Sequence, residues 1–176
     1  PDGAILKLQK LPVKIGDLRD PGAATMIVGT KVDRAQLLSI ARRDSSEMEM
    51  GGWSIRLKDD TEVTLADLQQ ERLILYGKPG ENSIVKDLES KFPLRLRNDS
   101  VLVNHEAVYD SELTLIQAIE SPYNPQGIIC WVAPLSPKAK PELLPGDASW
   151  VLVRGKGEIS SGTWEVKDED LTVEIK

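Results

Sequence analysis

The sequence predicts an α/β domain with a Rossmann/flavodoxin-like, mainly parallel sheet, flanking helices and a C-terminal β-meander. Two observations carry this prediction. Apolar runs typical of buried strands alternate with amphipathic helical segments through most of the chain. The last part of the chain has no helical period and reads as short strands separated by glycine turns. At 176 residues the chain is long enough to bury a substantial core.

The predicted central sheet consists of four buried strands, at residues 24–30, 53–57, 72–76 and 127–133. The stretch TLIQAIES, residues 114–121, fits neither the helical nor the strand period well, so both assignments stay open for that segment.

Capping residues mark two predicted helices. Asp33 is placed as the N-cap of the first helix, which two glycines, Gly51 and Gly52, bring to an end. Thr64 is placed as the N-cap of a short second helix, and Asp67 stands at the capping-box position. Both helices therefore begin directly after a polar residue that favours helix initiation.

Changes of composition along the chain predict four segments. These are an N-terminal extended or edge-strand segment (1–22), the α/β domain (23–136), a Pro-rich linker (137–148) and the C-terminal β-meander (149–176). The meander is expected either to pack on the α/β domain or to form a small sandwich with the N-terminal segment.

Composition also argues against two classes of function, nucleic-acid binding and membrane insertion. Hydrophobic residues make up 40% and charged residues 28% of the chain, which is typical of a globular protein. The net charge of −6 argues against a nucleic-acid partner, because such binders present a basic surface. No apolar run approaches the roughly 18–20 residues that a membrane-spanning helix needs, so we expect no membrane insertion.

The stretch LILYGKPGENSIVKDL, residues 73–88, holds the candidate ligand site. An apolar strand ends there in a Gly/Pro loop that opens an amphipathic helix, as happens at many phosphate sites. The candidate anion- or ligand-binding residues are Gly77, Lys78, Gly80, Asn82 and Ser83.

The same stretch departs from the known phosphate motifs. It has neither the order G-x-x-x-x-G-K-[ST] nor the third glycine of G-x-G-x-x-G. Pro79 removes one N–H donor, and Glu81 places a negative charge where an anion would lie. The sequence therefore favours a tight turn with Asn82 as the cap of the next helix, and an anion at that helix N-terminus is the alternative.

Catalytic and metal-binding patterns are absent from the sequence. There is no G-x-S-x-G nucleophile elbow, and His105 is the single histidine, expected in an exposed turn. Cys130 lies in an apolar run, where a buried inert thiol is expected. The acidic clusters at 59–60 and 168–170 lack calcium-loop spacing and are interpreted as solvated turns. We predict no catalytic residue, no metal and no cofactor.

Two further patterns favour a structural interpretation. The G-x-G of residues 155–157 is followed by a strand rather than a helix, so it is interpreted as a hairpin turn. The four tryptophans are Trp53, Trp131, Trp150 and Trp164. They are interpreted mainly as core anchors, with a carbohydrate-stacking platform as the alternative.

A resemblance to a known module covers roughly residues 24–134. LILYGKPGENSIVKDL (73–88), FPLRL (92–96) and SPYNPQGIICWVAP (121–134) occur in the order seen in a small α/β module. The chain resembles the module that accompanies the catalytic domain of large secreted bacterial esterases and peptidases of the prolyl-oligopeptidase-like class. The resemblance implies a non-catalytic accessory or interaction module in a secreted, periplasmic or envelope protein, with other domains or a protein as partner. The alternative is an α/β protein that binds an anion or small molecule at Gly77–Ser83.

Overall fold

The computed structural model describes residues 5–8, 12–18, 21–97, 100–103, 106–141, 146–155, 157–164 and 171–174. The strands are β1 (Ile5–Leu8), β2 (Ala23–Val28), β3 (Ser54–Asp59), β4 (Arg72–Tyr76), β5 (Leu96–Arg97), β6 (Ser100–Val103), β7 (Glu106–Val108), β8 (Leu113–Glu120), β9 (Ile128–Pro134), β10 (Trp150–Arg154), β11 (Gly157–Gly162) and β12 (Leu171–Glu174). The helices are α1 (Arg34–Met50), α2 (Leu65–Leu68) and α3 (Ser83–Leu88), with 3-10 turns at Ile15–Leu18, Asp60–Glu62 and Glu89–Lys91.

A mixed seven-stranded sheet, in the order β11-β10-β8-β9-β4-β2-β3, forms the centre of the fold. The four strands expected from the sequence, β2, β3, β4 and β9, are present and parallel to one another. The mixed α/β character is thus confirmed. The sheet is mixed rather than mainly parallel, because β8, β10 and β11 add to it in antiparallel fashion.

Short connections explain the antiparallel half. Only residues 121–127 join β8 to β9, and that is too short for the crossover that a parallel pair requires. A tight turn likewise joins β10 to β11. The segment 114–121, which the sequence left open between helix and strand, lies in β8 except for its last residue. β8 is buried along nearly its whole length.

Two apolar layers cover the two faces of the sheet. On one face α1 packs through Leu37, Ile40 and Ala41 against residues such as Met26 and Ile74. The other face is covered by α3, through Val85 and Leu88, and by a separate three-stranded antiparallel sheet, β5-β6-β7. The α1 and α3 connections therefore lie on opposite faces, which determines where the parallel strands leave a crevice.

The helix caps agree with the sequence at α2 and differ at α1. Thr64 and Asp67 form the predicted capping box at α2. Asp33 precedes α1 as predicted, but its side chain accepts no capping hydrogen bond. Its backbone is left-handed, with φ of 52°, and its carbonyl instead accepts from the N–H groups of Gln36 and Leu37. The left-handed conformation replaces the extended one that a capping side chain needs.

The two terminal segments meet in one small sheet. β1 pairs with β12 in an antiparallel ribbon, so the N-terminal segment supplies one strand. Residues 15–18 of the same segment form a 3-10 turn, with Ile15 and Leu18 buried. In the C-terminal segment, β10 and β11 extend the central sheet, while β12 pairs with β1 in the two-stranded ribbon. In the Pro-rich segment, Ala139 and Pro141 are buried, so this part packs on the domain.

Candidate functional site

A crevice is expected between the carboxyl ends of β2 and β4. Neighbouring strands whose connections leave to opposite faces form a switch point, where open α/β sheets bind ligands. β2 continues into α1 on one face, and β4 continues into α3 on the other. Gly29 and Gly77 follow the two strands, and Gly29 N donates to Tyr76 O at 3.1 Å. The predicted site residues at 77–83 lie at this end of the sheet.

The Asn82 side chain lies in the crevice between the ends of β2 and β4. Its side chain is fully buried and forms hydrogen bonds through both ends of the amide. The Nδ2 group donates to Ile27 O at 3.3 Å and to Tyr76 O at 3.0 Å, and so bridges β2 and β4. The Oδ1 atom accepts from Ile84 N at 2.9 Å and Val85 N at 3.2 Å. Asn82 is therefore both the predicted N-cap of α3 and the residue that closes the crevice between the strands.

The loop approaches the strands too closely for a ligand to pass between them. A Cβ atom built at Gly29 would lie 2.7 Å from Glu81 O and 3.0 Å from Asn82 Cβ. Glu81 O also accepts from Lys31 N at 3.1 Å. Gly77 has φ of 115°, a conformation that glycine adopts without steric cost, and this turns the chain back over the strand ends.

The Asp60 carboxylate occupies the helix N-terminus where an anion was considered. Its Oδ2 atom accepts from Ser83 N and Ser83 Oγ, both at 2.7 Å, and its Oδ1 atom accepts from Thr30 Oγ1 at 2.7 Å. Burial alone would raise the pKa of Asp60, but the bonds from Ser83 and Thr30 outweigh it and hold the pKa below its ordinary value. The chain thus supplies its own negative charge to these donors.

A second carboxylate binds the other end of the loop. Glu81 Oε2 accepts from Lys78 N at 2.7 Å, and Glu81 Oε1 lies 3.4 Å from Lys78 Nζ. Lys78 Nζ also donates to Leu135 O at 3.3 Å. Glu81, which the sequence marked as unfavourable for an anion, therefore neutralises the lysine that an anion would need.

The structure brings Gly77, Lys78, Gly80, Asn82 and Ser83 into one loop, as the sequence predicted. However, the N–H groups of Lys78 and Ser83 and the Asn82 amide all have acceptors within the chain. A phosphate here would have to displace two carboxylates that already hold these donors. The geometry favours the turn and cap, and anion binding stays an alternative hypothesis.

Beside the loop lies an open surface cleft of about 410 Å³. It is lined by Val32, Lys78, Pro79, Gly80, Glu81, Glu89 and Leu96. With two carboxylates and one ammonium group, the lining favours a neutral or cationic occupant over an anion. The volume is in the range of small-molecule sites.

The remaining sequence candidates lie in ordinary surroundings or outside the described residues. Cys130 is fully buried, and burial together with the nearby Asp44 carboxylate raises the pKa of its thiol to about 12. The predicted burial of this thiol is thus confirmed. Trp131 is likewise buried, and its Nε1 donates to Gly77 O at 2.7 Å. His105 and the acidic run at 168–170 lie outside the described residues.

Two aspartates have roles that the sequence did not predict. Residues 59–60 were interpreted as a solvated turn, and this is wrong for Asp60, which is only 4% exposed. Asp60 directly follows β3 at the same sheet end as the loop, and that position was the available signal. Asp44 follows Leu37, Ile40 and Ala41 at helical spacing, so it occupies a core position on α1. A charged residue at a core position is a signal for a buried polar network.

Among the described residues, no group of three or more His, Cys, Asp and Glu side chains is placed to bind a metal ion. Within the same residues, no helix has the length and apolar character needed to cross a membrane. No protein-family model matches the chain, and no curated protein is significantly similar to it.

Proposed function

We propose that the chain is a non-catalytic accessory or interaction module of a larger secreted or envelope-associated bacterial protein. One observation carries the non-catalytic part: the chain itself fills the crevice at the switch point. Asn82 bridges β2 and β4, while Asp60 and Glu81 bind the loop donors. An α/β enzyme of this topology uses that crevice for its substrate or cofactor.

The strand order supports a Rossmann/flavodoxin-like assignment for the parallel half. Counted along the chain, the parallel strands β2, β3, β4 and β9 stand in the order 2-1-3-4. This order begins the flavodoxin-like arrangement. The location and partners rest on the resemblance to modules beside secreted hydrolases. That class predicts a complex with other domains of the same polypeptide, which titration against those separately expressed domains would detect.

We expect the isolated chain not to hydrolyse generic ester or peptide substrates. It has no nucleophile elbow, and the Cys130 thiol is buried with a raised pKa, so it cannot supply a thiolate at neutral pH. The measurement is release of p-nitrophenol from p-nitrophenyl acetate, compared between the wild type, His105→Ala and Cys130→Ala. Turnover that His105→Ala abolishes would overturn the non-catalytic proposal.

The second candidate function is small-molecule binding, which the cleft of about 410 Å³ favours. The ligand would contact the apolar side chains of Val32, Pro79 and Leu96 and the carboxylate of Glu89. An anion at Gly77–Ser83 is the less favoured form of this candidate, because the loop donors are occupied. The melting temperature in millimolar phosphate, measured for the wild type and for Lys78→Ala, distinguishes these forms. An anion at the loop predicts a rise in the wild type that Lys78→Ala abolishes.

A further inference from the structure

Helix α1 carries a carboxylate on the face that it packs against the sheet. The Asp44 side chain is only 1% exposed. A charged group in such a place is costly unless hydrogen bonds and an opposite charge compensate it. We therefore expect hydrogen-bond donors and a positive charge beside the Asp44 carboxylate.

Two side chains compensate the Asp44 carboxylate. The fully buried Tyr76 donates through Oη to Asp44 Oδ2 at 3.0 Å. Arg43 donates to Asp44 Oδ1 through Nε at 3.1 Å and through Nη2 at 2.6 Å. Asp44 thus joins the core of the domain to the Arg43 side chain, which is 34% exposed.

The same guanidinium reaches the segment 136–141, which we call the strap. Arg43 Nη2 also donates to Pro141 O, at one end of the strap. Toward the other end, Gln36 Nε2 donates to Ser136 O at 3.1 Å and to Ala139 O at 3.0 Å. Side chains of α1 therefore hold the strap at two places, and one of these side chains is oriented by the buried carboxylate.

We propose that Asp44 and Arg43 form a proton-sensitive latch that holds the strap against helix α1. While Asp44 is ionised, its negative charge keeps the Arg43 guanidinium in position to bind Pro141 O. When Asp44 takes up a proton, this attraction is lost and Arg43 turns to water. The strap then keeps the contacts from Gln36 and the bond from Ser136 Oγ to Ser111 O, but it opens more often from its Pro141 end, and this opening breaks the adjacent turn at Ala139. The latch does not depend on whether the chain is an accessory module.

The electrostatic surroundings favour protonation of Asp44 at a higher pH than that of an exposed aspartate. Burial raises the pKa of Asp44 above 3.8, and the Glu47 charge adds to this, while the bonds from Arg43 and Tyr76 oppose it. Among the described residues, the titratable and charged groups that act on Asp44 are Arg43 and Glu47 from α1, Tyr76 from β4 and Cys130 from β9.

The latch and the global fold respond to acid in opposite directions. Because the folded-state pKa of Asp44 is raised, its favourable contribution to global stability is fully present below pH 3.8 and is lost as pH rises through the raised value. Acid therefore favours the folded state at this residue, while it releases the strap. This opposition separates opening of the latch from general acid unfolding.

Hydrogen exchange of the Ala139 amide, which donates to Ser136 O at 3.1 Å, measures closure of the strap. After correction for the intrinsic exchange rate, we expect its protection in the wild type to fall roughly tenfold from neutral pH to about pH 4, the usual worth of a charge-assisted hydrogen bond. Asp44→Asn and Arg43→Gln should show the low protection at every pH.

Asp59→Asn is the matched control, because Asp59 pairs with Arg34 of the same helix at 2.8 Å. This variant should keep the pH dependence of the wild type. Protection of Ala139 that does not change with pH in the wild type would overturn the latch. Wild-type protection and pH dependence in Arg43→Gln would overturn it as well, and that outcome is informative even if Asp44→Asn fails to fold.

Discussion

Asn82→Ala is expected to lower the free energy of unfolding by about 2–4 kcal/mol, more than the loss of a helix cap alone. The substitution removes the acceptor for Ile84 N and Val85 N, and it also leaves the buried carbonyls of Ile27 and Tyr76 without the Asn82 donor. Urea denaturation at neutral pH measures the change.

Two variants separate the roles of Asn82. Thr64→Ala removes an exposed N-cap and should cost only about 0.5–2 kcal/mol. Asn82→Asp keeps the cap acceptor but sets a carboxylate against the carbonyls of Ile27 and Tyr76. It should be destabilising at neutral pH and recover in acid, since the protonated group can donate again. An Asn82→Ala loss no greater than that of Thr64→Ala would mean that Asn82 acts only as a cap.

Gly29→Ala is expected to lower the free energy of unfolding by about 1–3 kcal/mol, the usual cost of forcing extra volume into a packed site. The added methyl group would lie 2.7 Å from Glu81 O and 2.8 Å from Glu81 C, both backbone atoms that cannot rotate away. Relieving the overlap requires the loop to move off β2, which strains the bond from Lys31 N to Glu81 O. Thermal or urea unfolding measures the effect.

Gly80→Ala is the matched control in the same loop. A Cβ atom at Gly80 meets nothing within 4 Å, so its stability should stay within about 0.5 kcal/mol of the wild type. If Gly29→Ala were equally neutral, the loop would not lie against the end of β2 as described.

Local sequence signals predicted the parallel strands, the helix of residues 34–50 and the caps at Thr64 and Asn82. These features depend on short-range patterns: apolar runs, helical period and polar residues directly before a helix. The meander that supplies β10 and β11 was also predicted, but β8 was not assigned as an antiparallel strand of the sheet. Strand direction depends on the partner and on loop length, which an apolar run does not encode. Residues 113–120 show this, since their burial on both faces removes the alternation that marks a strand.

At the candidate site, the sequence identified the loop but not the partners that occupy it. Pro79 and Glu81 already indicated, from the sequence alone, that this loop departs from a phosphate-binding motif. That Asp60 would reach Ser83, 23 residues away in the chain, depends on the parallel arrangement of β3 and β2. Likewise, the pairing of Asp44 with Tyr76 is a contact between α1 and β4, and no local pattern indicates such a contact.

The most direct test of the central claim, that the chain's own carboxylates occupy the crevice loop, is the melting temperature in millimolar phosphate. A ligand that binds the folded state raises the free energy of unfolding by RT ln(1 + [L]/Kd), and the melting temperature rises with it. We predict the same small, non-saturating solvent effect in the wild type and in Lys78→Ala, because Asp60 and Glu81 already hold the donors. A saturable rise in the wild type that Lys78→Ala abolishes would contradict the account.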